Sequence, residues 1–314
     1  MRDARRQLNR SQGSGVNAGF PSGIAHSGSR GQAEVCYMRF SVIHRTRYTY
    51  ATPVKESFNE VRLEPVTNEH QSVDSFVLKV FPPPRLRHYT DFYRNRTHHF
   101  EIPEPHTSLL IESQFRVTTN SDNWLDPQAR PFSRERLGEC ERLDRCFEFL
   151  GGSEFVEINP EVWRTAIDVV GDESDVWQAS QALMAFVHRE FTYTPLVTSV
   201  KTRSGEVFAD RRGVCQDFAH VLLALCRALK IPALYVSGYL HTQDANASHA
   251  WIEVFLPGVG WRALDPTHNR QPDQNYIKLA VGRDYSDALP IRGTYKGLTD
   301  RTMQVDVRIE TLLN

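Results

Sequence analysis

Apolar and polar residues alternate along residues 38–120, beginning with the segment MRFSVIHRTRYTY. The segments SFVLKVFPPP, HHFEI and LLIESQFRVTT continue the alternation, and clusters of proline and asparagine separate them. A period of two places apolar side chains on one face of a β-strand. Short strands between turn residues are typical of sandwiches and barrels. We therefore predict a β-sandwich-like N-terminal domain over residues 38–120.

The rest of the chain combines helical and strand patterns. Residues 121–158 mix charged and turn residues without a regular apolar period, so we predict a connector there. A second domain is predicted over residues 159–314. It opens with a helix, because Asn159-Pro160 places proline at a first helical position.

A helix is predicted over residues 215–229, where apolar residues recur on one helical face. They are Phe218, Leu222, Leu225 and Leu229. The strand segments ALYVSGYL, SHAWIEVFL and WRAL follow, and a Pro-Gly-Val-Gly turn joins the last two. A helix followed by neighbouring antiparallel strands predicts the α+β class, with this helix packed on an antiparallel sheet.

The composition is that of an ordinary folded protein. Hydrophobic residues make up 40% of the 314 residues, and the formal net charge is -1. Such a balance offers no basic surface for nucleic acid or an anionic membrane. No stretch approaches the roughly 18 consecutive apolar residues of a membrane span. Neither nucleic acid nor a membrane is therefore an expected partner, and the oligomeric state is left open.

Residues 1–37 are rich in serine, glycine, arginine and asparagine. We predict a disordered extension, because this composition buries too little apolar surface to offset the entropy of ordering. No apolar segment follows the early arginines, so the pattern is not that of a secretory signal. Since the strand pattern begins at Met38, we hypothesise that translation starts there and that residues 1–37 are an upstream extension.

Cysteine usage points to a reduced protein with one unusual thiol. Five widely spaced cysteines argue against a disulfide framework, so a cytoplasmic location is expected. Cys215 opens the predicted helix, where unpaired backbone N–H groups and the helix dipole favour a nucleophilic thiolate. Cys226, in the middle of the same helix, is expected to be a packing residue. Since a lone cysteine is more often structural, a catalytic interpretation needs further residues.

Two residues supply the partners that a nucleophilic cysteine requires. His249 begins the second predicted strand and can act as a base, and Asp265 ends the third. Because a short turn joins these strands, they should be antiparallel neighbours, which lets Asp265 accept a hydrogen bond from Nδ1 of His249. A nucleophile, a base and an orienting carboxylate form an activated-nucleophile arrangement.

The segments around these residues are GVCQDFAH, SHAWIEV and GWRALDPT. Together they resemble the transglutaminase-core superfamily, and more narrowly the bacterial transglutaminase-like proteins with an N-terminal β-domain. The resemblance runs from Met38 to Leu313, with HRT, NEVRL and DFYRN near the front and GRDYSD and PIRG near the end. It implies a papain-like core with a catalytic triad of Cys215, His249 and Asp265.

The resemblance also marks residues around the triad. Asp217 and His220 are expected to support the start of the helix. Trp251 and Trp261 are expected to pack around the triad. Gln216 is a candidate for the oxyanion site, although a backbone N–H group is the expected donor.

No metal and no cofactor are expected, because neither a zinc-site spacing nor an EF-hand loop is present. A cluster of basic residues leads to the nucleophile and is either a solvated face or an attraction for a carboxylate-bearing substrate. It consists of Lys201, Arg203, Arg211 and Arg212.

The expected activity is thiol acyl transfer on an amide or isopeptide bond of a peptide or protein, through a thioester intermediate. Hydrolysis, as by a cysteine peptidase or amidase, is favoured over transfer to an amine, and this preference rests on analogy. Two alternatives stay open: a protein-glutamine transamidase, and a non-catalytic binding or assembly module with a vestigial triad.

Overall fold

The computed structural model describes residues 37–120, 131–242 and 246–312. The predicted N-terminal extension lies almost entirely outside the described residues. The front of the chain is built from strands β1 (Tyr37–Val61), β2 (Gln71–Phe81), β3 (Arg87–Thr90), β4 (Arg96–Ile102) and β5 (His106–Asn120). Buried and exposed residues alternate along β1 and β5, as the apolar pattern predicts.

The 25-residue strand β1 has partners along most of its length. Its first half lies between β5 and a C-terminal strand, β13 (Arg301–Leu312). Its second half lies between β4 and β12 (Ile291–Lys296). The register shifts between Lys55 and Phe58, at the boundary between the two halves. The strand therefore belongs to two groups of strands, which together form the sandwich-like part of the fold.

The predicted second domain, a core with C-terminal strands over residues 159–314, ends in strands that pair with the front of the chain. Both β12 and β13 hydrogen-bond to β1, with Arg39 opposite Leu312 at one end of the pairing. Alternation along a strand shows which residues share a face, but it carries no information about which sheet the strand joins. The chain thus returns to its N-terminal sheet after the core.

The core contains helices and a second sheet. A 3-10 helix (Arg134–Arg142) and the short α1 (Asp144–Phe147) lie in the predicted connector. The helices that follow are α2 (Pro160–Val170), α3 (Val176–Glu190), α4 (Ser204–Asp210) and α5 (Cys215–Ala228). The strands are β6 (Thr192–Tyr193), β7 (Arg212–Gly213), β8 (Ala233–His241), β9 (Asn246–Leu256), β10 (Gly260–Leu264) and β11 (Tyr276–Gly282). Strands β10, β9, β8 and β11 form an antiparallel sheet in that order.

Helix α5 packs on this sheet and is almost entirely buried after its first turn. It begins at Cys215, as predicted, and its apolar side chains share one core with Ala250, Ile252 and Val254 of β9. The α+β prediction, with the cysteine-bearing helix on an antiparallel sheet, is confirmed. Among the described helices, none is both long and apolar enough to cross a lipid bilayer.

Arg227 is a buried cation near the end of α5. Its Nε and Nη2 donate to the carbonyl oxygen of Ala233 at 3.0 and 2.8 Å, and its Nη1 donates to the carbonyl oxygen of Gly151 at 3.1 Å. A further bond reaches the carbonyl of Arg283, in the segment GRDYSD. Burial lowers the pKa of Arg227 to about 10, although the nearby Asp284 carboxylate opposes this change. One side chain thus joins α5 to three separate backbone segments.

Candidate active site

The turn that leads into α5 is formed by Gly213 and Asp217. Oδ2 of Asp217 accepts hydrogen bonds from the backbone N–H of Val214 at 2.8 Å and from Oγ1 of Thr198 at 2.6 Å. A side chain at position 213 would bring its Cβ within 2.7 Å of Cβ and Oδ2 of Asp217, so only glycine leaves room for this turn. Asp217 therefore holds the first turn of the helix in place.

Cys215 and Cys226 lie on the same helix in different surroundings. Cys215 is the first helical residue and is partly exposed, so a substrate can reach its sulfur. Cys226 is completely buried, and burial raises the pKa of its thiol to about 12. At neutral pH Cys226 is therefore a protonated core residue.

The three residues of the predicted triad come together in the structure. Strands β9 and β10 are antiparallel neighbours, which brings His249 and Asp265 to the same end of the sheet. Nε2 of His249 lies 2.8 Å from Oδ2 of Asp265, and their side chains are 6% and 0% exposed. Cys215 lies close enough to His249 for its side chain to raise the pKa of the imidazole. The imidazole thus lies between the thiol and the carboxylate.

The prediction that Nδ1 of His249 faces Asp265 is wrong. The nitrogen nearest Asp265 is Nε2, which leaves Nδ1 as the ring nitrogen for Cys215. The choice depends on the direction in which the side chain leaves the twisted strand, which spacing along the chain does not specify. The chemical role of the carboxylate is the same, because it still selects one tautomer of the ring.

Electrostatics at the site favour a charged imidazole. Burial of His249 favours the neutral ring, but the hydrogen bonds and negative charges of Asp265 and Cys215 outweigh it and raise the pKa of His249 to about 9. Burial alone would raise the pKa of Asp265, yet the hydrogen bonds from His249 and His268 hold it well below its usual range. At neutral pH the pair is therefore an imidazolium beside a carboxylate.

Asp265 has more partners than the sequence indicates. Its Oδ2 also accepts from Nδ1 of His268 at 2.7 Å and from the hydroxyl of Tyr276 at 2.6 Å, and its Oδ1 accepts from the backbone N–H of Thr267 at 2.9 Å. Nε of Arg270 in turn donates to the hydroxyl of Tyr276 at 2.8 Å. These contacts fix the orientation of a carboxylate that is buried and charged.

Sequence reasoning missed both His268 and Tyr276. His268 follows Asp265 by three residues in the turn after β10, and a polar residue so close to a candidate carboxylate is a readable signal. Tyr276 opens β11, which joins the sheet beside β8, and nothing in the local sequence shows that placement. The ring of His268 also lies 5.2 Å from that of His249, centroid to centroid.

The two candidate tryptophans occupy different places. Trp251 stacks on His249 at 6.2 Å between ring centroids and meets Tyr276 edge-on at 5.3 Å. Trp261 contacts Phe149 and Phe255 and has no ring contact with the triad. Both tryptophans and Tyr276 line a cavity of about 300 Å³ that no triad residue lines. Of the two, only Trp251 packs directly against the triad histidine.

His220 and Gln216 lie away from the reacting groups. His220 is fully buried, and its Nε2 accepts the backbone N–H of Tyr285 at 3.2 Å. Its ring packs against those of Phe155 and Tyr235, so these contacts are with other segments rather than with the helix start. Burial lowers its pKa to about 4, and the ring is neutral. Nε2 of Gln216 donates to the carbonyl oxygen of Val200 at 3.4 Å. Gln216 therefore links the helix to the preceding loop.

One group of potential metal ligands occurs among the described residues. His249, Asp265 and His268 each offer a ligand atom, and these atoms lie within 4.8 Å of one another. Both histidines already donate a ring N–H to Asp265, an arrangement that fits a hydrogen-bonded triad. That the protein uses no metal stays a prediction.

Two family models match the chain. The bacterial transglutaminase-like N-terminal region matches residues 40–118, and the transglutaminase-like superfamily matches residues 164–266. The second match contains Cys215, His249 and Asp265.

Several bacterial proteins are similar over part or most of the chain. Uncharacterized protein ML0607 of Mycobacterium leprae is 33% identical over 282 residues, which cover 87% of this chain and 99% of that protein. Uncharacterized protein Rv2569c of Mycobacterium tuberculosis is 30% identical over 87% of this chain and 92% of that protein. The protein-glutamine gamma-glutamyltransferase of Pseudomonas aeruginosa is 33% identical over 107 residues, covering 29% of this chain and 16% of that protein.

The solved structure of a candidate cysteine protease from Cytophaga hutchinsonii has the same fold. Its TM-score is 0.75 at 23% identity, covering 89% of this chain and 93% of that chain. The two family matches, with the near full-length relatives, show that the chain belongs to the transglutaminase-like superfamily, in the bacterial group with the matching N-terminal region.

Proposed function

We propose that this protein is a cysteine-dependent acyl-transfer enzyme that acts on an amide or isopeptide bond of a peptide or protein. Cys215 is the nucleophile, His249 the base and Asp265 the residue that orients the histidine. The observation that carries the proposal is the position of His249, which hydrogen-bonds to a buried carboxylate and lies close enough to the thiol at the start of α5 for that thiol to raise its pKa.

Cys215 and His249 react as a thiolate–imidazolium pair, in which His249 holds the proton of the thiol, and the thiolate attacks the carbonyl carbon of the substrate. Backbone N–H groups at the start of α5 have no partner within the helix and can hold the oxyanion. The imidazolium of His249 then protonates the leaving amine, and a thioester with Cys215 remains. In the second half, His249 takes a proton from water, whose oxygen attacks the thioester, and the thiol is restored as the acid product leaves.

Hydrolysis is the favoured second half, and a specific relative supports the alternative. The solved neighbour from Cytophaga hutchinsonii is described as a candidate cysteine protease, whereas the Pseudomonas aeruginosa relative is a glutamyltransferase. One triad serves both reactions, because only the acceptor differs. Incubation of a glutamine peptide with and without a primary amine, followed by mass spectrometry, distinguishes them: an amine adduct would contradict pure hydrolysis.

A cytoplasmic location stays a prediction.

The direct test of the proposal is alkylation by iodoacetamide at pH 7, with the modified cysteine identified by peptide mass spectrometry. We expect Cys215 to react at least about tenfold faster than Cys226, because only Cys215 is accessible and paired with a base. Cys226 is a matched internal control, since it lies on the same helix in the same molecule. Equal rates at the two sites would rule out an activated nucleophile and leave the non-catalytic binding module as the better interpretation.

The pH dependence of the reaction should separate the two roles of His249. Its pKa of about 9 lies above the ordinary value of 6.5, so the imidazolium is present below pH 9 and lost above it. Cleavage of a peptide amide needs this acid and should decline as the pH rises through about 9. Alkylation of Cys215 needs only a thiolate and should show no such decline.

Initial rates of both reactions between pH 7 and pH 10.5 check this expectation, with circular dichroism at each pH to show that the protein remains folded. Amide cleavage that stays constant through pH 10.5 would contradict the assignment of His249 as the acid that protonates the leaving amine.

A further inference from the structure

An exposed apolar surface lies along the end of β6 and the loop that connects it to α4. Four of its side chains are exposed: Tyr193 by 52%, Leu196 by 100%, Val197 by 43% and Val200 by 56%. Single exposed apolar residues are ordinary, but four within eight residues form a patch of the kind that marks a binding surface. Leu196 also has a positive φ of 66°, which is unusual for a residue with a branched side chain.

This loop is attached to the segment that carries Cys215. The backbone N–H of Thr194 donates to the carbonyl oxygen of Gly213 at 2.8 Å, two residues before the nucleophile. Oγ1 of Thr198 donates to Asp217 at 2.6 Å, and Gln216 donates to the carbonyl oxygen of Val200, immediately after the nucleophile. The loop is therefore held against both sides of the helix start.

The position of the apolar side chains relative to the thiol follows from these bonds. Tyr193 pairs with Gly213 in the short β6–β7 ladder and lies close enough to Cys215 for the thiolate charge to raise the pKa of its hydroxyl, after the larger effect of burial. Leu196, Val197 and Val200 lie between anchored points of the same loop. The exposed apolar side chains therefore lie on a segment that is anchored on both sides of Cys215.

We propose that this loop binds an apolar side chain of the peptide substrate, at the residue whose carbonyl Cys215 attacks. The inference rests on the proposed function, because it is the acylation of Cys215 that brings the peptide to the loop. A bound apolar side chain removes Leu196 and Val200 from water, which favours binding in proportion to the area covered. The exposed cations Lys201, in this loop, and Arg212, in the adjacent strand β7, disfavour a basic residue there.

Two peptidyl chloromethyl ketones that are identical except for the residue next to the reactive carbonyl test this proposal. One carries leucine and the other asparagine, which has a similar shape but is polar. In the wild type we expect the leucine probe to alkylate Cys215 about tenfold faster than the asparagine probe does, as for a partly formed apolar site. Rates are measured by peptide mass spectrometry at pH 7, with iodoacetamide as a reagent that carries no side chain.

Substitution Leu196→Ser or Val200→Ser should bring the ratio of the two probes to within about twofold of unity, because the apolar surface is lost. The matched control is Leu298→Ser, a fully exposed leucine between β12 and β13, which should keep the wild-type ratio. The iodoacetamide rate should be unchanged in all three variants, since none of these residues contacts the triad.

The outcomes are distinguishable. If iodoacetamide selects Cys215 but the two probes react equally, the loop proposal is wrong and the proposed function stands. If iodoacetamide does not select Cys215, the loop proposal and the proposed function both fail. If Leu298→Ser removes the selectivity as completely as Leu196→Ser, or if the ratio changes with protein concentration because a second copy covers the loop, the assignment of a substrate side chain to this surface is overturned.

Discussion

Replacement of Asp265 by asparagine should lower the rate of acyl transfer by about 10³- to 10⁴-fold. The carboxylate accepts the Nε2–H of His249 at 2.8 Å and, with Cys215, accounts for the pKa of about 9 that keeps the ring charged. An asparagine amide carries no charge and can present an N–H group to the ring. The pKa of His249 should therefore fall towards its ordinary value, and the ring can adopt the wrong tautomer.

The measurement is the rate at which each variant cleaves a peptide amide that the wild type cleaves, recorded as a function of pH. The matched control is His268→Leu, which removes a different hydrogen bond to the same Oδ2 of Asp265 and leaves the bond between Asp265 and His249 in place. We expect the control to lose less than about tenfold. A similar loss in both variants would show that the network as a whole matters, and that the Asp265 charge has no special role.

The substitution Arg227→Met should lower the free energy of unfolding by about 3–5 kcal/mol. The guanidinium is completely buried and donates to the carbonyl oxygens of Ala233, Gly151 and Arg283. Methionine retains part of the apolar contact but leaves these acceptors without a donor, and it removes the positive charge near buried Asp284. Since the total stability of a domain is about 5–15 kcal/mol, the loss is a large fraction of it.

Urea denaturation followed by tryptophan fluorescence gives the free energy of unfolding of each variant. Arg189→Met is the matched control, because Arg189 is a helical arginine that is largely exposed and whose partners, Glu190 and the ring of Phe186, lie on or next to its own helix. The free energy of unfolding of this control variant should stay within about 0.5 kcal/mol of the wild-type value. An equal, small effect at both positions would contradict the view that Arg227 joins the helix to the segments around it.

Much of this architecture follows from local pattern. The apolar period predicts α5 and its first residue, because a glycine-led turn into an amphipathic run is a local property. The short turn between β9 and β10 predicts their antiparallel pairing, and that pairing brings His249 and Asp265 together. The sequence alone therefore predicts the candidate nucleophile and its two partners.

The remainder depends on contacts between distant segments. Which ring nitrogen of His249 meets Asp265 is decided by strand twist and side-chain direction, and Tyr276 reaches the carboxylate only because β11 lies beside β8. Likewise, alternation in residues 301–312 predicts a strand but not its partner. The sequence pattern thus predicts the local conformation of these segments, but not where they pack in the tertiary structure.

The shared strand β1 has a consequence for biosynthesis. Its residues are among the first of the described sheet to leave the ribosome, whereas its partners β12 and β13 are among the last. One edge of β1 therefore stays open while almost the entire catalytic core is being translated, and an open edge can pair with strands of other nascent chains. The sheet closes only after translation has passed residue 301, so this part of the fold is completed after the segment between β5 and β12 has been synthesised.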